Sequence, residues 1–522
     1  MTVTKRTLFI PQLLVLVTLV LLTLLDLNPQ ALVALLCAAL MGLWIAGAFV
    51  EPFSLLLSAL ALAGTTSVLS LLHISGVPFS VNGLLVAGIG GACGLAVLLH
   101  HRHQFRTLAQ LRRWLLESAP LSLLLMWALI RTPGAPSLSD AISDILIWGA
   151  LLLVYVLARA YWVEHPDMLP VGTRAFLYVG FLTLGMIVVD SLLGNVFFNE
   201  SDPRLTPGLH TTAGARTIPA FFGLALVPVL AYLRFEHAAP RTNRRLLAGL
   251  AVVLAMWVYF SLGRAALLGA AGVVIPLILF APRALWKAVI LVAVGVGLTA
   301  ALIQSPLYPR EKLGTIQDAI SIEEEISASE PGEEAPSRPR TRPRVTVNEG
   351  MLQGITFGRT AVWKYLVERA INEAPLTGFG TGAARDRSAD IIPSWDNPHN
   401  DFIRVFFDQG AIGLLILVLS WAVLLLLCWQ NWLRLGPGTH AAVYNFAALT
   451  AGGYILLNFL TDNFIVYFFI MAPFWLLTAM ASAATVHVEV LEGTELPATG
   501  VQPIPVETPS RIAPEQNVQW DR

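Results

Sequence analysis

VFFDQGAIGLLILVLSWAVLLLLCWQ, residues 405–430, is 26 residues long and carries one charge, Asp408. A helix rises about 1.5 Å per residue, so roughly 20 apolar residues cross the ~30 Å hydrocarbon layer of a bilayer. The stretch therefore reads as a membrane-spanning helix. The same signature recurs on both sides of it. Toward the C-terminus it predicts spans at 440–460 and 463–484. Toward the N-terminus it predicts 7–25, 30–50, 52–73, 81–99, 114–131, 140–158, 175–194, 217–233, 246–262, 265–281 and 285–303. The run Leu246–Ala281 would be about 54 Å long as one helix, so it is divided at Gly263 and Arg264. The expected architecture is an all-α polytopic membrane protein of about fourteen spans.

Composition agrees. Of 522 residues, 56% are hydrophobic and 13% charged, about half the ~25% of soluble chains. A soluble core cannot hide so much apolar surface, and the excess is expected to face lipid. Net charge is −1, so no global field points to nucleic acid. Cys37, Cys93 and Cys428 sit far apart in apolar runs and read as packed thiols. Lys5 and Arg6 precede the run Thr7–Leu25, which lacks a small-residue cleavage site and is read as an uncleaved first helix.

Lys and Arg set the topology. With the N-terminus in the cytoplasm, the inner loops hold fifteen Lys and Arg, whereas the short outer loops hold only Arg131, Arg204, Arg216 and Arg264. This is the positive-inside pattern. It predicts an inner-membrane protein with both termini cytoplasmic.

Four regions follow. Residues 1–303 form membrane helices 1–11, and 405–484 form helices 12–14. Between them, 304–404 is one large periplasmic loop. Its first part, 304–350, contains SIEEEISASEPGEEAPSRPRTRPRVTV and has a disorder-like composition; 356–404 reads as folded. Residues 485–522 read as a flexible cytoplasmic tail.

External arginines run against topology, so each invites a reason. Arg216 lies at the mouth of a helix and Arg264 between two apolar runs. At an outer rim a guanidinium can hold a phosphate; interfacial anchoring is the bland alternative. In the loop, Arg359–Ile371 predicts an amphipathic helix with Val362, Leu366 and Ile371 on or near one face, stopped by Pro375. The GFGTG run that follows lacks the strand and spacing of a phosphate loop and reads as a tight turn. In NPHNDF, Pro398 makes Asn397 extended, and His399 follows just before a membrane helix. It lies among Asp396, Asn400 and Asp401, on the side of Arg216 and Arg264. A lone loop histidine is more often merely solvated. Trp and Tyr near helix ends read as an interfacial aromatic belt, with stacking on a ligand as the alternative for Trp395. His100, His101 and His103 form a metal-like cluster, but on the cytoplasmic face among arginines that would repel a cation. Asp190 and Asp462 are read as solvated helix ends, with supporting roles beside a site as the alternative.

Here a resemblance enters. Gly358–Leu415 resembles the signature region of the O-antigen ligase/polymerase family, through Arg359 and Trp363 in GRTAVW, PLTGFGTG, PHNDF and DQGAIGLL. SLGRAALLG resembles that family's Ser-x-x-Arg helix start, ARTIPAFFGLAL its earlier arginine-bearing helix start, and NFLTDNF its late helix junction. The resemblance implies a metal-independent, cofactor-free glycosyltransferase with a GT-C-type membrane fold, acting at the periplasmic face. The donor would be a glycan on undecaprenyl pyrophosphate. The acceptor would be a sugar hydroxyl, on lipid A–core for a ligase or on a lipid-linked repeat for a polymerase. It places phosphate-binding arginines at Arg216 and Arg264 and the catalytic histidine at His399, with Arg359, Trp395 and Asn400 as substrate-binding candidates. Other polysaccharide-assembly proteins are candidate partners.

The chemistry is coherent. A pyrophosphate leaving group gains negative charge as its bond to C1 breaks, and preorganised cations lower that barrier. An acceptor hydroxyl must lose a proton, and imidazoles titrate near neutrality. Within this reading a surface-polysaccharide polymerase is favoured slightly over a ligase. A transporter of lipid-linked sugar is the alternative of another class; it would want ionisable midspan residues and repeated halves, and neither is evident. A scaffold for a synthesis complex is the third reading.

Overall fold

The computed structural model describes residues 8–69, 81–192, 359–391 and 397–491, save isolated positions, with scattered residues between 223 and 250. The described residues contain helices and no strand. Apart from those scattered positions, the spans expected from 217 to 303 lie outside the described residues.

The N-terminal part runs α1 (Phe9–Leu24), α2 (Gln30–Val50), α3 (Pro52–Leu69), α4 (Val81–Ala96), α5 (Leu108–Glu117), α6 (Ala119–Arg131), α7 (Leu138–Glu164) and α8 (Leu169–Leu192). The C-terminal part runs α9 (Arg359–Glu373), α10 (Ala383–Ile391), α11 (Asp401–Leu435), α12 (His440–Phe459) and α13 (Phe468–Leu491). Six of these, counting α4 with its extension to Phe105, are long and apolar enough to cross a bilayer. The protein is thus a polytopic helical membrane protein.

Local sequence sets the breaks. Pro29 and Pro52 bracket α2, and a proline is well placed at a first helical position, where its missing N–H has no partner to lose. The expected span 114–131 is interrupted. α5 ends at Glu117, Ser118 leaves the helical region, and α6 restarts with Pro120 near its first turn. α6 alone is 13 residues, about 20 Å, so α5 lies outside it as an amphipathic helix. Ser137 caps α7, its hydroxyl accepting from Asp140 N–H at 3.4 Å. Thr439 caps α12 through Ala442 N–H at 3.1 Å.

Hydropathy and burial run in opposite directions. The most apolar spans, α2 and α11, are a third buried; α12 and α13, less apolar, are 78% and 94% buried. Lipid tails are as apolar as leucine, so helix association in a bilayer rests on close packing and interhelical hydrogen bonds. α13 supplies both. Its alanines at 472, 479, 481, 483 and 484 are buried against neighbours that include α7 and α12. Asn445 of α12 donates to the Thr485 hydroxyl at 2.8 Å. α4 meets α7 so closely that a Cβ on Gly90 would lie 2.6 Å from Ala150 Cα.

One end of the bundle is tied by charge. Glu117 accepts from Arg159 at 2.5 Å, Ser482 at 2.6 Å and Arg113 at 3.0 Å. Glu489 binds Arg113 at 2.7 Å and Arg434 at 2.5 Å. These pairs carry α13 on to Leu491, past the boundary near 485 expected for a flexible tail. Near this end His101 Nδ1 and His103 Nε2 both contact Glu164 at 3.0 Å. Two of the three clustered histidines therefore share a carboxylate, and His100 Nε2 instead meets Ala48 O at 2.9 Å.

Candidate active site

The opposite end is organised around a break in α11. Gly410 has φ 69° and ψ −170°, a backbone conformation essentially reserved for glycine. In an unbroken helix Ala411 and Ile412 would donate to the carbonyls of Phe407 and Asp408. Instead they donate to Pro375 O at 2.9 Å and Leu376 O at 3.2 Å. The freed carbonyls of Phe407 and Asp408 accept from Phe379 N at 2.9 Å and Gly380 N at 2.8 Å. Two intrahelical bonds are thus exchanged for four to the glycine-rich turn. That turn is the tight turn expected at PLTGFGTG. Gly378 has φ 66°, and a Cβ there would sit 2.5 Å from the Asp408 carbonyl carbon.

Asp408 then acts at a distance. Its carboxylate accepts from Gly382 N at 3.1 Å and Ala384 N at 2.6 Å, capping the start of α10. α9 packs Val362, Leu366 and Ala370 against Ala383, Ala384 and Phe407 in a small separate core. Ile371, expected on or near that face, is exposed. The buried positions fall four residues apart, and Ala370 is the one that continues them.

A buried ion cluster joins this unit to the bundle. Arg404, 1% exposed, donates to Asp144 of α7 at 2.5 Å and to Asn397 Oδ1 at 3.1 Å, and lies 3.8 Å from Asp408. Asp144, 0% exposed, also receives Arg385 of α10 at 3.1 Å. Sequence reasoning missed this cluster. The available signal was Arg404 and Asp408 at helical spacing in the first turns of an otherwise apolar helix.

His399 stands directly before this helix. Its φ is 52°, and it is the one non-glycine residue with positive φ among those described. Such a conformation costs about 1–3 kcal/mol and persists only where the surroundings hold it. The imidazole is 18% exposed, with Nδ1 3.2 Å from Asp462 Oδ1. Asn463 Nδ2 approaches the same nitrogen at 3.4 Å. An ionised carboxylate only accepts, and it is both closer and charged, so Nδ1 carries the proton and points it at Asp462. In that tautomer the lone pair lies on Nε2. Asp462 is buried and further fixed by Asn463 N at 2.8 Å and the Tyr467 hydroxyl at 3.4 Å. It is therefore a partner of His399 and not the solvated helix end expected.

The other expected site residues divide. Asn400 is buried and committed to the fold: Oδ1 accepts from Ile403 N at 3.0 Å, capping α11, and Nδ2 donates to Leu460 O at 3.2 Å. Arg359 begins α9, but its side chain lies outside the described residues, as do Trp395, Arg216 and Arg264. The expected convergence of Arg216, Arg264 and His399 thus lies outside what is described. Asp401, beside His399, accepts from Ile465 N at 2.9 Å and locks α11 to the turn before α13.

The arrangement places an oriented imidazole, backed by a buried carboxylate, at one end of a membrane bundle. Among the described residues no group of three or more His, Cys, Asp or Glu is placed to hold a metal ion. No curated protein matches the chain. The family model described as O-antigen ligase matches residues 248–418, which include the α9 helix, the glycine turn, His399 and the Gly410 break. Over residues 248–418 the chain is thus similar to the O-antigen ligase family.

Proposed function

We propose that the protein is an inverting, metal-independent glycosyltransferase that moves an undecaprenyl-pyrophosphate-linked glycan onto an acceptor sugar hydroxyl. The observation that carries this reading is the His399–Asp462 pair, whose histidine lies within the matched family region. In the reaction His399 Nε2 takes the proton of the acceptor hydroxyl. The hydroxyl oxygen bonds to C1 of the donor sugar from the face opposite the leaving group. The C1–O bond to phosphate breaks, and its electron pair departs with undecaprenyl diphosphate, stabilised by Arg216 and Arg264. The protein has about fourteen spans in a GT-C-type fold and lies in the inner membrane, with the site periplasmic and both termini cytoplasmic.

Purified protein given an undecaprenyl-diphosphate oligosaccharide and an acceptor is expected to form product at equal rates with and without a chelator. His399→Ala is expected to lower transfer by ~10²–10⁴, the usual range for a general base; Arg264→Ala by ~10²–10³. Normal product from the His399→Ala protein would end the proposal. Asp462→Asn keeps the shape but can donate into Nδ1 and favour the wrong tautomer. It is expected to lower kcat by ~10-fold or more, a smaller loss than removal of the base itself, with the donor KM little changed.

A polymerase is favoured, and the family description favours a ligase as the second reading. The lipid carrier of a deletion strain separates them. Single repeats on lipid mean a polymerase, and full-length polymer on lipid means a ligase.

A further inference from the structure

The backbone of His399 is held from both sides. Arg404 grips Asn397 at 3.1 Å, and Asn400 is bound to Ile403 N and Leu460 O. Between them, the indole Nε1–H of Trp363 donates to the carbonyl of Pro398 at 2.6 Å. That carbonyl shares one rigid peptide plane with the N–H of His399. Fixing the carbonyl fixes the plane, and the plane sets φ of His399. Arg404 and Asn400 also serve the bundle at large. The indole N–H of Trp363 instead acts on the very peptide whose orientation aims the imidazole.

The bond also crosses between structural units. Trp363 rides on α9, which is seated by Val362, Leu366 and Ala370 in its own small core. Asp462 comes from the turn between α12 and α13. The imidazole is thus positioned by α9 through its backbone and by the late helices through its Nδ1.

We propose that Trp363 is a positioning residue for His399, its indole N–H holding the Pro398–His399 peptide in the orientation that turns Nδ1 to Asp462 and Nε2 to the acceptor. The inference rests on His399 being the base of the transfer reaction. It deepens that reading by making α9 part of the site's aiming device.

Trp363→Phe tests it, because phenylalanine keeps an aromatic ring at the position and removes the donor. A second replacement at 363, by 3-benzothienylalanine, keeps the full indole shape without the N–H. Full-length protein is assayed with an undecaprenyl-diphosphate oligosaccharide and a sugar acceptor, and its thermal midpoint is measured alongside. Both replacements are expected to lower kcat at least 10-fold, with the donor KM within twofold and the thermal midpoint within a few degrees of wild type. Wild-type kcat in the benzothienyl protein overturns the proposal. So does a fall in kcat matched by a proportionate loss of folded protein, since the bond would then be a structural one alone. The underlying reading fails separately: full transfer by His399→Ala sinks it whatever Trp363 does. Silent replacements at 363 in an enzyme that needs His399 sink this inference alone.

Discussion

Arg404→Met is expected to destabilise the His399 end of the bundle by about 3–5 kcal/mol, the range measured when one partner of a buried ion pair is removed. Methionine fills much of the same volume, so the effect is one of charge and hydrogen bonding. Asp144, wholly buried, would lose its 2.5 Å bond, and Asp408 the guanidinium 3.8 Å away. Asn397 would lose its donor as well, releasing the loop that carries His399. Transfer is expected to vanish with the fold of that end. Arg385 still reaches Asp144 at 3.1 Å, which keeps the loss from being larger. Neutralising the orphan should return part of it. Asp144→Asn with Arg404→Met is expected to be more stable than Arg404→Met alone, giving a coupling of about 0.5–3 kcal/mol in a double-mutant cycle. Thermal unfolding of the four proteins in one detergent measures it. Strict additivity would mean that the two side chains do not act as a pair.

Gly410→Ala should be nearly as severe. A Cβ at 410 would lie 2.3 Å from the Leu376 carbonyl and 2.4 Å from Thr377 N, both backbone atoms that cannot swing aside. The conformation itself is closed to alanine. The chain can escape by straightening α11, so that Ala411 and Ile412 return to Phe407 and Asp408. That regains two hydrogen bonds and forfeits four to the glycine turn. The net loss of two bonds, at ~1 kcal/mol each, adds to the disrupted α9–α10 packing. A total of about 3–5 kcal/mol is expected, within the range of special-backbone and core defects. Hydrogen exchange reads it directly: the amides of Phe379 and Gly380 should lose protection while those of Ala411 and Ile412 keep theirs. Retained protection at Phe379 and Gly380 would show that the turn tolerates a side chain at 410.

What the sequence revealed tracks how local each signal is. The extent of α2 coincides with the expected span 30–50 because prolines punctuate both ends. α6 was blurred because α5 is amphipathic and abuts it, so the apolar run seemed to begin inside α5. His399 stood out by its setting, and Asp462 was noticed, yet their pairing spans 63 residues and leaves no periodicity. Asp144 and Arg404, 260 residues apart, were invisible for the same reason. Hydropathy also ranks spans by lipid exposure and not by centrality, so the core helices α12 and α13 are the least apolar of the six. The residues expected to grip the diphosphate, Arg216 and Arg264, lie where no geometry is described.

The reach of Asp144 has a consequence for how the protein is made. Its strongest partner is encoded 260 residues downstream, and synthesis proceeds at ~5–20 residues per second. For some tens of seconds the nascent chain holds a carboxylate in α7 whose counter-ion has not yet been translated. A chain that stops short of both Arg385 and Arg404 lacks the two guanidinium groups that meet it. Completion of the reading frame is thereby written into the electrostatics of a helix inserted long before.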